Sequence, residues 1–210
     1  MEKYAFFSYV EYLGIFAFAI SGAAAAAKAR FDIFGIIFVA YAAGCGGGIL
    51  RDVLIGSFPP DNLKNIHCFV ISILAAISIF FVDSNLAVRK LNLSGWVALS
   101  DSIGLSLFCV AGAQKAFDMT QSIEVALFSG MITAIGGGII RDVLLMQFPM
   151  VLSKDIYAVA ALVGAAIAIV APLYLPLGAE VCAISGMAAC FALRTVSSKY
   201  NWQLIKKADD

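Results

Sequence analysis

Gly46-Gly47-Gly48-Ile49-Leu50-Arg51-Asp52-Val53-Leu54 reappears as Gly136-Gly137-Gly138-Ile139-Ile140-Arg141-Asp142-Val143-Leu144, an offset of 90 positions. The match runs on through Phe58-Pro59 against Phe148-Pro149, and through Lys64 and Ile66 against Lys154 and Ile156. Upstream, Gly14, Phe18 and Gly22 match Gly104, Phe108 and Gly112, and Glu11 faces Asp101. No gap is needed between positions 11 and 67, so the chain carries an internal duplication.

Around this motif the chain is apolar. Residues of the set AVILMFWYC make up 62% and charged residues 13%, where a soluble domain has ~45–50% apolar and ~25% charged residues. Mean hydropathy is +0.94. Apolar runs between charged or turn-forming breaks predict seven transmembrane helices, at about 10–27, 33–56, 66–82, 95–117, 123–147, 155–175 and 178–195. They are too long for barrel strands and lack a two-residue alternation. The expected fold is an all-α integral membrane protein. The first run is read as a span rather than a cleavable signal, because Glu2 and Glu11 replace a basic leader and the repeat needs it.

Each copy holds three spans, an odd number, so the second copy enters the membrane from the opposite side. The expected organisation is a first three-helix repeat (1–90), a second, inverted repeat (91–175), and a seventh helix with a tail (176–210). Inverted repeats are related by a pseudo-two-fold axis in the membrane plane, and their ligand paths run where the copies meet. The seventh helix echoes the first, with Ala183-Ile184-Ser185-Gly186 and Arg194 against Ala19-Ile20-Ser21-Gly22 and Arg30.

Loop charges set the expected orientation. One side carries Lys28, Arg30, Arg89, Lys90, Lys154, Arg194, Lys199, Lys206 and Lys207; the other carries Lys3, Lys64 and Lys115. The basic side is cytoplasmic, which puts the N-terminus outside, the C-terminus inside, and the chain in the inner cell membrane.

The triplets Gly46–Gly48 and Gly136–Gly138 lie near mid-membrane. Glycine costs roughly 1 kcal/mol per residue in a helix relative to alanine. Two readings compete: close helix packing, or kinked and unwound helices whose freed carbonyls line a path. Two triplets at inverted positions, each followed by a charge pair, favour the path. Arg51, Asp52, Arg141 and Asp142 would each cost at least ~2.5–3.5 kcal/mol if exposed to hydrocarbon at a helix centre. Adjacent helical positions point about 100° apart, so the expected contacts are between repeats, Arg51 with Asp142 and Arg141 with Asp52, or arginine with freed carbonyls. Ser21, Ser129 and Thr133 offer oxygens to the same path, although a membrane hydroxyl more often bonds its own helix. Glu11, Asp101 and Glu124 are read as helix-starting acids, the first two also as cation attractors at the mouths.

Other chemistries find little support. Formal net charge is zero, which gives no field for nucleic acid. Cys45, Cys68, Cys109, Cys182 and Cys190 sit in apolar runs without a CxxC, so no disulfide or zinc site is expected. His67 is the single histidine, no nucleophile–base pattern exists, and the glycine triplets lack the lysine of a phosphate loop. No enzyme, cofactor or resident metal is expected.

The duplicated GGG-[IL]-[IL]-R-D-V-L motif, in a chain of this length with seven spans, resembles the bacterial branch of the trimeric intracellular cation channels, the TRIC family. The resemblance implies a homotrimer in membrane lipid with one pore per protomer, passing potassium and, less selectively, sodium. It makes Gly46, Gly47, Gly48, Gly136, Gly137 and Gly138 kinks in pore-lining helices, with Arg51, Asp52, Arg141 and Asp142 beside the path. The Lys-Glu-Val run of animal members is absent, so their phosphoinositide control does not carry over. The same domain has also been labelled a glycine transporter. A secondary transporter of a small solute such as glycine therefore stays open, as does a membrane scaffold with purely structural charge pairs.

Overall fold

The computed structural model describes residues 2–84, 93–153, 156–200 and 202. Arg89, Lys90, Lys154, Lys206 and Lys207, which carry much of the expected orientation, lie outside the described residues, as does the 90/91 repeat boundary. The described residues are helical throughout their ordered elements: α1 (Glu2–Lys28), α2 (Ile33–Leu54), α3 (Asp61–Lys64), α4 (Ile66–Ser84), α5 (Leu93–Thr120), α6 (Ile123–Leu144), α7 (Met150–Ser153), α8 (Tyr157–Tyr174) and α9 (Ala179–Tyr200).

Six of these helices, α1, α2, α5, α6, α8 and α9, are long and apolar enough to cross a membrane, while the apolar stretch of α4, Ile66–Phe81, is shorter. α4 nonetheless packs on α1 and α2 as its repeat counterpart α8 packs on α5 and α6. Burial is inverted relative to a soluble protein. Phe34, Phe81 and Phe128 are exposed while Arg51, Asp52, Asp101 and Arg141 are buried, as expected where lipid faces the outside and charge needs partners within.

Equivalent helices meet one another, α1 on α5 and α2 on α6. The contacts are reciprocal. Gly14 faces the Phe108 ring and Gly104 the Phe18 ring; Gly47 faces the Thr133 carbonyl and Gly137 the Ala43 carbonyl. Advancing along one helix means retreating along its partner, so each pair crosses in opposite directions about a shared two-fold axis. The Phe18 and Phe108 rings stack on that axis, with centroids 5.3 Å apart. This is the internal geometry an inverted repeat requires.

Helix ends are set locally. Asp32 Oδ1 accepts the Gly35 N–H at 2.8 Å and Ser122 Oγ accepts the Val125 N–H at 3.3 Å, each serving as an N-cap. α2 and α6 stop at Leu54 and Leu144, a few residues before the apolar runs do. In each, a backbone N–H returns to the last turn, Ser57 to the Asp52 carbonyl and Gln147 to the Asp142 carbonyl, both at 2.8 Å. The residue before it, Gly56 (φ 73°) or Met146 (φ 53°), adopts the left-handed conformation. This is a Schellman cap, for which glycine is suited. The second copy uses a methionine that is 98% exposed, so its side chain gains nothing from packing. Met146→Gly should therefore stabilise the protein by about 1 kcal/mol, the left-handed penalty of a side-chain-bearing residue, and Gly56→Ala should destabilise it similarly. Thermal unfolding in detergent, followed by tryptophan fluorescence, measures both.

Candidate functional site

α2 and α6 run as α-helix through both glycine triplets without interruption. The expectation that peptide groups are released there is thus corrected: the missing side chains let two backbones touch. A Cβ on Gly47 would collide with the Thr133 carbonyl and one on Gly137 with the Ala43 carbonyl. Nor are the nearby carbonyls bare, because Asn62 Nδ2 donates to the Cys45 carbonyl at 3.3 Å.

The expected cross-repeat ion pairs are also corrected. Arg51 Nε donates to its neighbour Asp52 Oδ1 at 2.8 Å, and Arg51 Nη2 donates to Glu11 Oε1 at 3.2 Å. In the second copy, Arg141 Nε donates to Asp142 Oδ1 at 2.8 Å and Nη1 to Asp101 Oδ1 at 2.7 Å. The arginine stem is long enough to curl back to an adjacent carboxylate lying in the last turn, where the helix no longer walls it off. Each aspartate is then fixed from the loop side, Asp52 Oδ2 by the Asp61 N–H at 2.9 Å and Asp142 Oδ2 by the Met150 N–H at 2.8 Å. Glu11 and Asp101 do not begin helices as expected; they lie well inside α1 and α5, where the arginines neutralise them. Glu124 alone of the three sits in a first turn.

Between repeats, Ser21 supplies one contact. Its hydroxyl accepts from Arg141 Nη1 and donates to the Val97 carbonyl at 3.3 Å. Ser129 and Thr133 are buried, but the Thr133 hydroxyl donates to the Ser129 carbonyl at 2.6 Å within α6. Thr133 also fills the space left by Gly112 on α5, which is a packing role.

Residues outside the sequence-derived set complete both clusters. Lys115 Nζ donates to Asp52 Oδ1 at 2.8 Å and to Asp61 Oδ2 at 2.7 Å. Its position in an otherwise apolar run, more than a turn before α5 ends at Thr120, was the available signal. Tyr157 donates to Asp101 Oδ2 at 2.7 Å, and the Arg194 guanidinium lies 4.6 Å from the Tyr157 ring centre. An unbroken chain therefore links α9 to Arg141: Arg194, Tyr157, Asp101, Arg141.

The two clusters differ in access. Beside the first lie cavities of about 450 Å³ and 280 Å³ that share Ser8, Glu11 and Asp61 in their walls. The larger also touches Tyr12, Asn62 and Cys68, the smaller Gln114, Lys115 and Asp118. The gap bounded by Gly138, Arg141, Asp142 and Tyr157 has no room for a water molecule.

Two predictions follow from these partners. Arg141→Met strands Asp101 and Asp142 in a closed interior, so it should cost about 3–5 kcal/mol, the usual penalty for breaking a buried pair. Arg51→Met leaves Asp52 with Lys115, and Glu11 keeps partial access to a cavity, so roughly 1–2 kcal/mol should be lost; chemical denaturation in detergent compares them. Asp61 begins the short helix α3, between α2 and α4, and its hydrogen bond from Lys115 holds the carboxyl below the usual range. Its contribution is therefore present above the ordinary carboxylate value and lost as pH falls through the lowered one. The Lys115–Asp61 contact should persist at neutral pH and open only in acid below about pH 4. Thermal unfolding in detergent of wild type and Asp61→Asn, compared across pH 3 to 7, reads this out: the difference between them should vanish in acid.

Comparison with known proteins bears on what these clusters do. The family model described as Glycine transporter matches residues 8–84 and 98–172, one copy of the repeat each. A Vibrio cholerae protein described as a UPF0126 membrane protein is 36% identical over 157 residues, covering 74% of this chain and 64% of its own length. A prokaryotic TRIC channel solved in 0.5 M KCl superposes with a TM-score of 0.84 at 33% identity, over 96% of this chain and all of the other. The TRIC orthologue from Rhodobacter sphaeroides superposes with a TM-score of 0.86 at 28% identity, over 93% of this chain and 98% of the other.

Proposed function

The chain belongs to the trimeric intracellular cation channel family, as a bacterial member whose duplicated domain is the one described as Glycine transporter, and on that premise we propose that it is a monovalent cation channel with a conduction path inside each protomer. The supporting observation is the 280 Å³ cavity lined by Glu11, Asp61 and Lys115, whose lysine is paired in turn with the buried Asp52 beside Arg51. From there the path runs past Gly46, Gly47, Gly48, Gly136, Gly137 and Gly138, with Ser129 and Thr133 on its α6 wall. It leaves by Ser21, Arg141 and Asp142. Potassium is the proposed ion, with sodium passing less well, and the assembly in the inner membrane is a homotrimer like those its relatives are named for. The N-terminus faces outward and the C-terminus the cytoplasm.

In this reading the conformation described is closed. Lys115 occupies the carboxylates that an entering cation would need, and the guanidinium of Arg141 fills the far end. Acids at the open mouth, Glu11 and Asp61, concentrate cations by focusing their field in a low-dielectric cleft. Opening requires Lys115 to give up Asp52 and Asp61, and α2 and α6 to separate at Gly47 and Gly137, where their backbones touch.

Purified protein in a planar bilayer tests this. Discrete potassium current steps are expected, with Lys115→Met raising the open fraction severalfold. Saturable glycine uptake in vesicles without current steps would instead establish a small-solute transporter, the second reading left open by the family description.

A further inference from the structure

We infer that Arg51 Nη1, beside Ala111 and Glu11, is a docking point in the wall of the 280 Å³ cavity for the oxygen of a small uncharged molecule, water being its ordinary guest. Arg51 is fully buried, and among the described residues its Nη1 has no hydrogen-bond partner. Its other two nitrogens are engaged, Nε by Asp52 and Nη2 by Glu11. The second copy keeps no such donor in reserve. Arg141 Nη1 donates to Asp101 and to the Ser21 hydroxyl, while Nε and Nη2 both meet Asp142 Oδ1.

The repeat says where the spare N–H points. Nε lies 2.8 Å from the adjacent aspartate in both copies. Nη2 lies 3.7 Å from the place a Cβ would take on Gly48, and 3.9 Å from that place on Gly138. A guanidinium is planar and rigid, so two nitrogens placed alike put the third in the equivalent position too. Arg141 Nη1 meets Ser21 on α1; its counterpart on Arg51 therefore faces the residue ninety positions on, Ala111 on α5. Lys115, one turn further along α5, agrees with this placement, because its Nζ reaches the same Asp52 oxygen that Arg51 Nε holds. Ala111 carries a methyl where Ser21 carries the accepting hydroxyl, and it lines the cavity together with Glu11 and Gln114.

A buried N–H without an acceptor bears its full desolvation penalty, and the cavity has ample room for a water, whose share of liquid volume is about 30 Å³. Charge selects an uncharged guest. Arg51, Lys115 and Lys64 already pair with Glu11, Asp52 and Asp61, and Asp118 adds another acid to the wall. An anion at Nη1 would meet this surplus of carboxylates, and a cation there would meet the guanidinium. An oxygen that accepts from Nη1 and turns its own hydrogens toward Glu11 suits both. Ala111 thus keeps the first arginine reachable from the cavity, as Ser21 seals the second.

The test compares Ala111→Cys with Ser21→Cys in the full chain in detergent, treated with aminoethyl methanethiosulfonate at one pH. Each new thiol stands beside a guanidinium, which favours the reactive thiolate, so the two rates differ by access to the sulfur. Ala111→Cys should react at least about tenfold faster, because a thiolate reacts only where solvent and reagent reach it. Peptide mass mapping locates the adduct, and the wild type, whose own cysteines are all buried, gives the background. Equal rates would overturn the docking point. A second reading needs no cysteine variant. An experimental map of the wild type that resolves waters should show an oxygen about 2.7–3.2 Å from Arg51 Nη1, its place taken by the hydroxyl in Ala111→Ser. A chloride or other anion there, or a protein acceptor on Nη1, would equally overturn it. Neither reading uses a current, so the outcome is separate from whether the protomer conducts.

Discussion

The fold depends on one close approach, that of α2 and α6 at Gly47 and Gly137. Lipid provides no hydrophobic drive to bring helices together, so association rests on van der Waals contact and on internal hydrogen bonds. Here the contact is backbone on backbone, with each glycine seated on the carbonyl of the residue four positions before its counterpart. Any side chain at either position would strike an atom of the opposing main chain, which cannot swing aside as a flexible side chain would. The cost of glycine in a helix is offset by contact over an otherwise unreachable surface. Once the two helices cross there, the symmetry of the repeat places α1 on α5 and lays Phe18 against Phe108.

That crossing also decides where the charges go. With the backbones sealed against one another, no wet gap remains at the triplets to receive Arg51 or Arg141. Each guanidinium turns instead toward the carboxylates of its own copy, Glu11 with Asp52 and Asp101 with Asp142. Ions in an apolar interior must be paired and hydrogen-bonded to be tolerated, and each copy meets that demand largely by itself. Ser21, and Lys115 reaching from α5 to α2 and α3, carry polar contacts from one repeat to the other.

The repeat, the helices and the residues worth watching were legible in the sequence because they rest on pattern: a ninety-residue offset, apolar run lengths, and charge where charge is expensive. Partner choice was not legible. The argument that adjacent residues diverge by about 100° holds for short side chains within a helix. It fails for arginine beside an aspartate in the last turn, where stem length and an open helix end change what is reachable. Glu11 and Asp101 were misplaced for a related reason. A charge was taken as a helix boundary, although a charge with a buried partner can sit inside a span. Lys115 was hidden by the same reasoning, counted with the loops despite lying within α5. Triplet glycines admit both unwinding and close packing, and only the atoms that face them separate the two.

The departures of the two copies from one another make the two ends of the repeat unlike. Where α5 offers Gln114, Lys115 and Asp118, the equivalent stretch of α1 has Ala24, Ala25 and Lys28. Ala24 is fully buried within an alanine-rich cluster. Small apolar residues pack into the core of the first copy, while the polar set around Lys115 lines an open cavity. The two ends of an inverted repeat would be interchangeable if the copies were identical, and neither could be preferred as the opening. Here one end holds a lysine that bridges two carboxylates beside a cavity, and the other an arginine held by serine, aspartate and, through Asp101, tyrosine. Moving the first requires exchanging ion partners already close to solvent. Moving the second requires breaking a dry network that extends through Tyr157 to α9, the helix outside the repeat. The Arg141 end is therefore the more tightly bound of the two, and α9, through Arg194 and Tyr157, is part of what holds it.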